Sequence, residues 1–426
     1  MKRLIVRTLV VLGAAVLTLA AVVHYLNIRG EAALPAATSE FRPTAQQVAR
    51  GEYLARLGNC MGCHTTRGGA PYAGGRGIAT PFGLVYSTNL TPAAKTGLGS
   101  WTADEFWRAL HNGRSRDGRL LYPAFPYTEY TLLTREDSDA LFAYLRTLQS
   151  VEQPRRAHDL RFPYDTQAAV AVWRALFFAP ATFTADPAQS PDWNRGAYLV
   201  RGLAHCNACH GTRNALGASD DVPFDGAALP SGWYAPSLRS SREAGVREWP
   251  ANEVVALLKH GVSARASVIG PMAEVVYRGT QHLTDADAQA MAVYLQSLSE
   301  RAPQDGRPRV TIGEDVRGYG ARVYEQHCAD CHGKNGEGLA GAFPALAGNR
   351  AVTLTQPNNA IRIVLGGGYL PATAGNPRPH GMPPYGHVLK DADVAAVLSY
   401  IRNAWGNAAP AVSAFEVQKQ RGDAGR

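Results

Sequence analysis

Cys60-Met61-Gly62-Cys63-His64, Cys206-Asn207-Ala208-Cys209-His210 and Cys328-Ala329-Asp330-Cys331-His332 are three copies of one pattern, Cys-x-x-Cys-His. Together they consume all six cysteines of the chain. The spacing suits one chemistry above others. Two thiols reach the two vinyl groups of a porphyrin, and the adjacent histidine turns under the ring to hold the iron. This is the attachment signature of a c-type haem. A thioredoxin-like redox pair needs a βαβ setting that the flanking sequence lacks. A zinc site wants converging Cys-x-x-Cys pairs and has no need of a histidine directly after each second cysteine. The expectation is three covalently bound haem c groups. Cys60, Cys63, Cys206, Cys209, Cys328 and Cys331 tether them, and His64, His210 and His332 ligate iron.

The motifs lie 146 and then 122 residues apart in a chain of 426, which fits about three domains. A hydrophobic content of 46% supplies ordinary core material. The formal charge is +8, yet Lys and Arg are scattered, with no basic run interleaved with aromatics. That excludes a nucleic-acid partner and suits anionic lipid headgroups or an acidic redox partner. No Ser-His-Asp set, flavin fingerprint or phosphate loop is visible, which points away from a substrate site of the chain's own.

Around each motif the chain repeats one plan: a short leading helix, Cys-x-x-Cys-His, a long Gly/Pro-rich loop and a closing helix. The leading helices read Arg50-Gly51-Glu52-Tyr53-Leu54, Arg195-Gly196-Ala197-Tyr198-Leu199 and, more loosely, Gly320-Ala321-Arg322-Val323-Tyr324. The closing helices carry Leu141/Tyr144/Leu145/Leu148, Met291/Tyr294/Leu295/Leu298 and Val397/Tyr400/Ile401/Ala404, the stripe of an amphipathic helix. We read this stripe as core. Thr134-x-x-Asp137 and Thr284-x-x-Asp287 supply N-terminal caps, and the third copy lacks the threonine. The glycine of the leading helix is expected to let an aromatic of the closing helix approach closely.

The N-terminus has Lys2, Arg3 and Arg7 before an apolar run from Thr8 to Val23 that fades through Leu26. Its length falls between the roughly 7–15 residues of a cleaved signal and the roughly 17–25 of a membrane span. Small residues at Ala33-Leu34-Pro35-Ala36-Ala37 lie about ten residues beyond the run, far for cleavage. We read residues 1–27 as an uncleaved anchor. The basic residues stay cytoplasmic and the haem domains stand outside, on the periplasmic face of a bacterial inner membrane. An Ala/Pro/Thr-rich spacer follows. Domains are expected at 45–150, 191–301 and 312–407, a linker at 151–190 and a disordered tail at 408–426. Within the linker, Ala168 to Phe178 is unusually apolar; docking on the membrane, docking on a partner subunit and packing between haem domains all fit it.

A haem that only carries electrons commonly has His and Met as its two axial ligands. Of five methionines, Met1 is the start, Met61 lies between two haem cysteines and Met291 sits on a core stripe. Met272 and Met382 remain, in the loops before the second and third closing helices, and are expected to be the sixth ligands there. In the first repeat the corresponding stretch reads Tyr122-Pro123-Ala124-Phe125-Pro126-Tyr127, and phenylalanine cannot ligate iron. Haem 1 is then five-coordinate or takes another ligand, with His111 and His158 nearest in sequence. A backbone carbonyl near Pro344 is the expected acceptor for the outer nitrogen of His332.

The three motifs, their spacing, Gly270-Pro271-Met272-Ala273-Glu274 and the ending Tyr400-Ile401-Arg402-Asn403-x-Trp405-Gly406-Asn407 resemble the triple-haem cytochrome c subunits of bacterial membrane-bound dehydrogenases. Such subunits accompany alcohol, gluconate, sorbitol and aldehyde dehydrogenases and some molybdenum hydroxylases. The resemblance spans roughly residues 46–407. It implies a separate catalytic subunit of molybdopterin, flavin or pyrroloquinoline quinone type, in some cases with a small iron–sulfur subunit. It also implies passage of electrons to ubiquinone or the respiratory chain. His64, His210, His332, Met272 and Met382 match the family's ligand positions. Phe125 departs from the Pro-Ala-Met-Pro-Tyr form of the alcohol-dehydrogenase branch and leans toward the molybdenum branch.

The expected fold is mainly α, with three tandem class I-like cytochrome c domains behind an N-terminal transmembrane anchor, and no catalytic residues. One rival is a haem enzyme using an open haem 1 on peroxide or a sulfur compound. A weaker one is the cytochrome subunit of a terminal oxidase, against which chain length and the single short apolar segment argue.

Overall fold

The computed structural model describes residues 1–34, 41–220, 223–302 and 312–424. Part of the Ala33–Ala37 stretch and of the spacer falls outside these residues. The chain forms two compact units: Met1–Leu54 with Cys63–Thr184 and Ala215–Ala218, and Ala55–Gly62 with Ala185–Asn214 and Ser219–Arg426. The motif spacing predicts three units. The second and third repeats instead share one, because side chains knit them together. Asn359 Nδ2 donates to Tyr234 O at 2.7 Å while Tyr234 N donates to Asn359 Oδ1 at 2.8 Å. Asn349 Nδ2 adds a bond to Ser267 Oγ at 3.0 Å.

In the first unit, α1 (Lys2–Ile28) is a 27-residue apolar helix, none of whose most apolar stretch is buried. The leading helix α2 (Ala45–Leu57) begins in this unit; α3 (Ala103–Asn112) and the closing helix α4 (Arg135–Leu145) follow. Strands β1 (Gly77–Thr80) and β2 (Gly83–Tyr86) form a tight antiparallel hairpin, with Gly77 opposite Tyr86 and Thr80 opposite Gly83. A two-residue strand β3 (Asp159–Leu160) pairs with β2, and α5 (Gln167–Phe177) completes the unit. Of residues 151–190, expected as a linker, 151–184 belong to this unit: β3 extends the sheet and α5 packs by its Val170 face.

The second unit contains the leading helix α6 (Pro191–Tyr198), a hairpin of β4 (Ala227–Ala228) and β5 (Tyr234–Ala235), then α7 (Ala251–His260), α8 (Pro271–Arg278) and the closing helix α9 (Asp285–Ser297). The third repeat adds α10 (Glu314–His327), α11 (Asn358–Gly366), the closing helix α12 (Asp391–Ile401) and α13 (Ala414–Ala424). The sequence predicts a disordered tail from 408, and α13 corrects that. Val412 and Val417 bury in the core beside Ile361 and Leu398, and Arg421 pairs with Asp391 at 2.7 Å. Two valines in a polar stretch are too thin a stripe to read from sequence.

The three leading–closing helix pairs share one contact. A Cβ built on Gly51, Gly196 or Gly320 would lie 1.8, 2.0 or 2.3 Å from the carbonyl oxygen of Ala140, Ala290 or Ala396. Each would also lie 2.8 Å from the Cβ of Tyr144, Tyr294 or Tyr400. The glycine thus admits both backbone and aromatic, as the sequence suggests. The cap aspartates do double duty that the sequence does not reveal. Arg50 Nε donates to Asp137 at 2.6 Å, and Arg195 holds Asp287 with two bonds of 2.8 Å. In the third repeat Tyr319 OH donates to Asp393 at 2.6 Å.

Thr134 Oγ1 and Thr284 Oγ1 accept from the N–H of Asp137 and Asp287 at 3.2 Å, as expected of caps. Where the third repeat lacks threonine, the Asp393 carboxylate accepts from Lys390 N at 2.8 Å. Thr284→Ala is expected to cost about 1 kcal/mol in denaturant unfolding. An unchanged midpoint would deny the cap any role in stability.

Candidate haem sites

Four residues of each motif form a single helical turn, Cys60–Cys63, Asn207–His210 and Ala329–His332, following the leading helix. None of the six cysteines is in a disulfide. Among the described residues no cluster of three or more His, Cys, Asp and Glu converges as a metal centre would require.

The three histidines are oriented by one device. His64 Nδ1 donates to Thr88 O at 2.6 Å, His210 Nδ1 to Pro236 O at 2.7 Å and His332 Nδ1 to Pro344 O at 3.0 Å. A carbonyl only accepts, so the proton sits on Nδ1 and the Nε2 lone pair is left for iron. Burial pushes all three histidines below their usual pKa, against the opposing pull of these carbonyls, which keeps the rings neutral at neutral pH. The carbonyl near Pro344 is expected from sequence; those of Thr88 and Pro236 are not.

A small hairpin delivers each carbonyl. Just before it, a glycine N–H donates to the histidine's own carbonyl: Gly74 to His64 at 2.7 Å, Gly226 to His210 at 2.8 Å and Gly338 to His332 at 2.8 Å. These glycines have φ of +80°, +85° and +66°, and the returning backbone passes within 2.5–2.8 Å of where a Cβ would stand. No other residue type meets both demands. The chain then turns through β1–β2, through β4–β5, or through the single bridge Leu339–Phe343. It emerges in each case at Thr88, Pro236 or Pro344. Gly74, Gly226 and Gly338 carry no fixed spacing to the motif, so only the fold reveals them.

Met272 is the second residue of α8 and packs beside Val268, Ala273 and Val276. Gly270 before it has φ +58° and lies against the Trp233 ring. Met382 exchanges two backbone bonds with Gly368, at 2.8 and 3.1 Å. It flanks the same apolar cluster as Cys328. In the first repeat, the Phe125 ring lies 5.5 Å from that of Tyr130 and 6.3 Å from that of Tyr127. His111 stacks flat on Trp107 at 4.4 Å, and burial pushes it below its usual pKa against a hydrogen bond to the Thr131 backbone. His158 Nδ1 accepts from Tyr86 N at 3.2 Å. The donor set and the histidine tautomer suit haem c attachment at these motifs.

Comparison with known proteins agrees with this chemistry. The cytochrome c family model matches residues 48–149 and 318–405, and the model for subunit III of cbb3-type cytochrome c oxidase matches 191–295. The chain is 38% identical over 392 residues to the cytochrome c subunit of the quinone alcohol dehydrogenase of Gluconacetobacter polyoxogenes, covering 88% of this chain and 84% of that one. It is 38% identical to the gluconate 2-dehydrogenase cytochrome c subunit of Pantoea cypripedii, covering 88% and 90%. With the fructose dehydrogenase cytochrome subunit of Gluconobacter japonicus it shares 34% identity, over 96% of this chain and 89% of that protein. Helix pairs, motifs and relatives converge: the chain belongs to the family of cytochrome c subunits of bacterial membrane dehydrogenases.

Proposed function

We propose that the chain relays electrons through three covalently bound haem c groups, from the catalytic subunit of a dehydrogenase to ubiquinone or the respiratory chain. The threefold histidine–carbonyl geometry is the observation that carries this reading. Haem c, when bound, supplies a one-electron iron couple. The protein's part is to hold each histidine in the Nδ1–H tautomer, raise its basicity through the carbonyl and keep water from the ring. Met272 and Met382 would close the second and third sites. Helix α1 would anchor the chain in the inner membrane, with Lys2, Arg3 and Arg7 inside and the haem domains in the periplasm.

Detergent-extracted native protein is expected to copurify with a large subunit carrying molybdopterin, flavin or pyrroloquinoline quinone, and that cofactor names the substrate class. Recovery of the chain alone, from cells actively oxidising such substrates, would refute the relay.

Phe125 stands where the other repeats have methionine, so haem 1 lacks a thioether ligand in this reading. In the reduced protein, one haem in three is expected to bind carbon monoxide, and Phe125→Met should suppress it. A variant that binds carbon monoxide as the wild type does would remove Phe125 from the iron's distal side.

A further inference from the structure

Helix α5 is built inside out. Its inward face carries Val170, Arg174 and, just past its end, Phe178, all buried. Its outward face carries Ala168, Val172 and Leu176, with Phe177 beside them; Val172 is 47% and Leu176 63% exposed. A surface helix of a soluble domain shows the reverse, charge outward and apolar inward. The outward strip of α5 therefore needs an apolar partner.

The inward arginine shows which partner. Arg174 is 3% exposed, and its Nε donates to Asn27 Oδ1 at 2.9 Å. Asn27 lies in the last turn of α1 and is itself 8% exposed; its Nδ2 donates to Ala171 O at 2.9 Å. Two residues beyond α1's C-cap, Glu31 pairs with Arg114 at 2.8 Å, and Arg114 Nη2 also donates to Asn27 O at 3.0 Å. The guanidinium of Arg174 further lies over the rings of Tyr127 and Phe178. Residues 27–31 thus latch the end of α1 onto α5. Helix α1 is about 40 Å long at 1.5 Å per residue, close to the roughly 40–45 Å of a bilayer with its headgroups. If α1 spans, as proposed above, its last turn lies at the outer headgroup level and the latch holds α5 there with it.

We propose that α5 is an interfacial helix seated on the outer leaflet, with Val172, Leu176 and Phe177 in the boundary between headgroups and acyl chains. The latch makes the N-terminal segment part of the folded protein. Removing it would strip the buried Arg174 of Asn27 and strip Arg114 of Glu31. The retained leader and the lipid-facing helix are one device, which rests on the anchor reading.

The haem-loaded full chain, in nanodiscs whose lipids carry a photoactivatable diazirine on the acyl chain, tests this by peptide mapping. Adducts are expected on 167–177 as well as on α1, and not on 414–424, whose exposed Phe415 serves as a control for mere surface apolarity. The double variant Val172→Glu, Leu176→Glu should lower α5 labelling to the level of 414–424 and leave α1 labelled. Adducts confined to α1 would overturn the interfacial helix alone. Crosslinking of α5 to a copurified catalytic subunit in place of lipid would do the same. An intact mass lacking the N-terminal segment would overturn both the latch and the anchor.

Discussion

Gly196→Ala is expected to unfold the second repeat. The new Cβ would stand 2.0 Å from the Ala290 carbonyl oxygen and 2.8 Å from Tyr294 Cβ, and neither belongs to a flexible side-chain end. Relief requires α6 and α9 to part by more than about 1 Å, which opens the packing of a core built at crystal-like density. The separation pulls Arg195 from Asp287 and unseats Met291 and Leu295, both buried on the facing stripe. Overpacking of a rigid contact alone costs about 1–3 kcal/mol. With the ion pair and core added, a loss of about 4–5 kcal/mol is expected, the range reserved for disruption of a named structural contact. Guanidinium unfolding measures it, with Gly366→Ala as the control. Nothing lies within 4 Å of that Cβ, and helix propensity favours alanine there. Equal midpoints for the two variants would show that the leading and closing helices do not pack as described. Gly51→Ala and Gly320→Ala carry the same expectation.

On the proposed three-haem relay, the double variant Cys206→Ser, Cys209→Ser is expected to lower covalent haem from three per chain to two and to abolish nearly all electron transfer from the dehydrogenase. Serine offers no thiol to a vinyl group, so His210 alone would have to retain the haem. The hydrogen bond from His210 to Pro236 is made by backbone and ring, and does not depend on the cysteines. The leading and closing helices are therefore expected to fold around a vacant second site, and circular dichroism checks that they do. A pyridine haemochrome count of three in the folded variant would contradict attachment at this motif. A count of two with undiminished electron transfer would place haem 2 off the path.

The family and its chemistry are written locally, which is why the sequence discloses them. Cys-x-x-Cys-His is contiguous because one turn of chain must present both thiols and the imidazole to one porphyrin. The closing stripes and the Thr-x-x-Asp caps are legible because a helix enforces contacts at i+3 and i+4. The tail and the linker escape a sequence reading for the opposite reason. What orders 412–421 is Asp391 and the α11–α12 core, and what orders 151–184 is β2 and the end of α1. These are distant partners that no local window contains.

The sequence by itself determined that this chain carries three Cys-x-x-Cys-His motifs, each set between paired helices behind an apolar leader. Tertiary structure alone decided how each histidine is aimed. The orienting carbonyls stand 24, 26 and 12 residues beyond their histidines, and the bracing glycines fall at unequal distances between. A backbone carbonyl has no side-chain identity, and a hairpin of any length can return it to the same point in space. Geometry holds it there, and residue spacing does not record it.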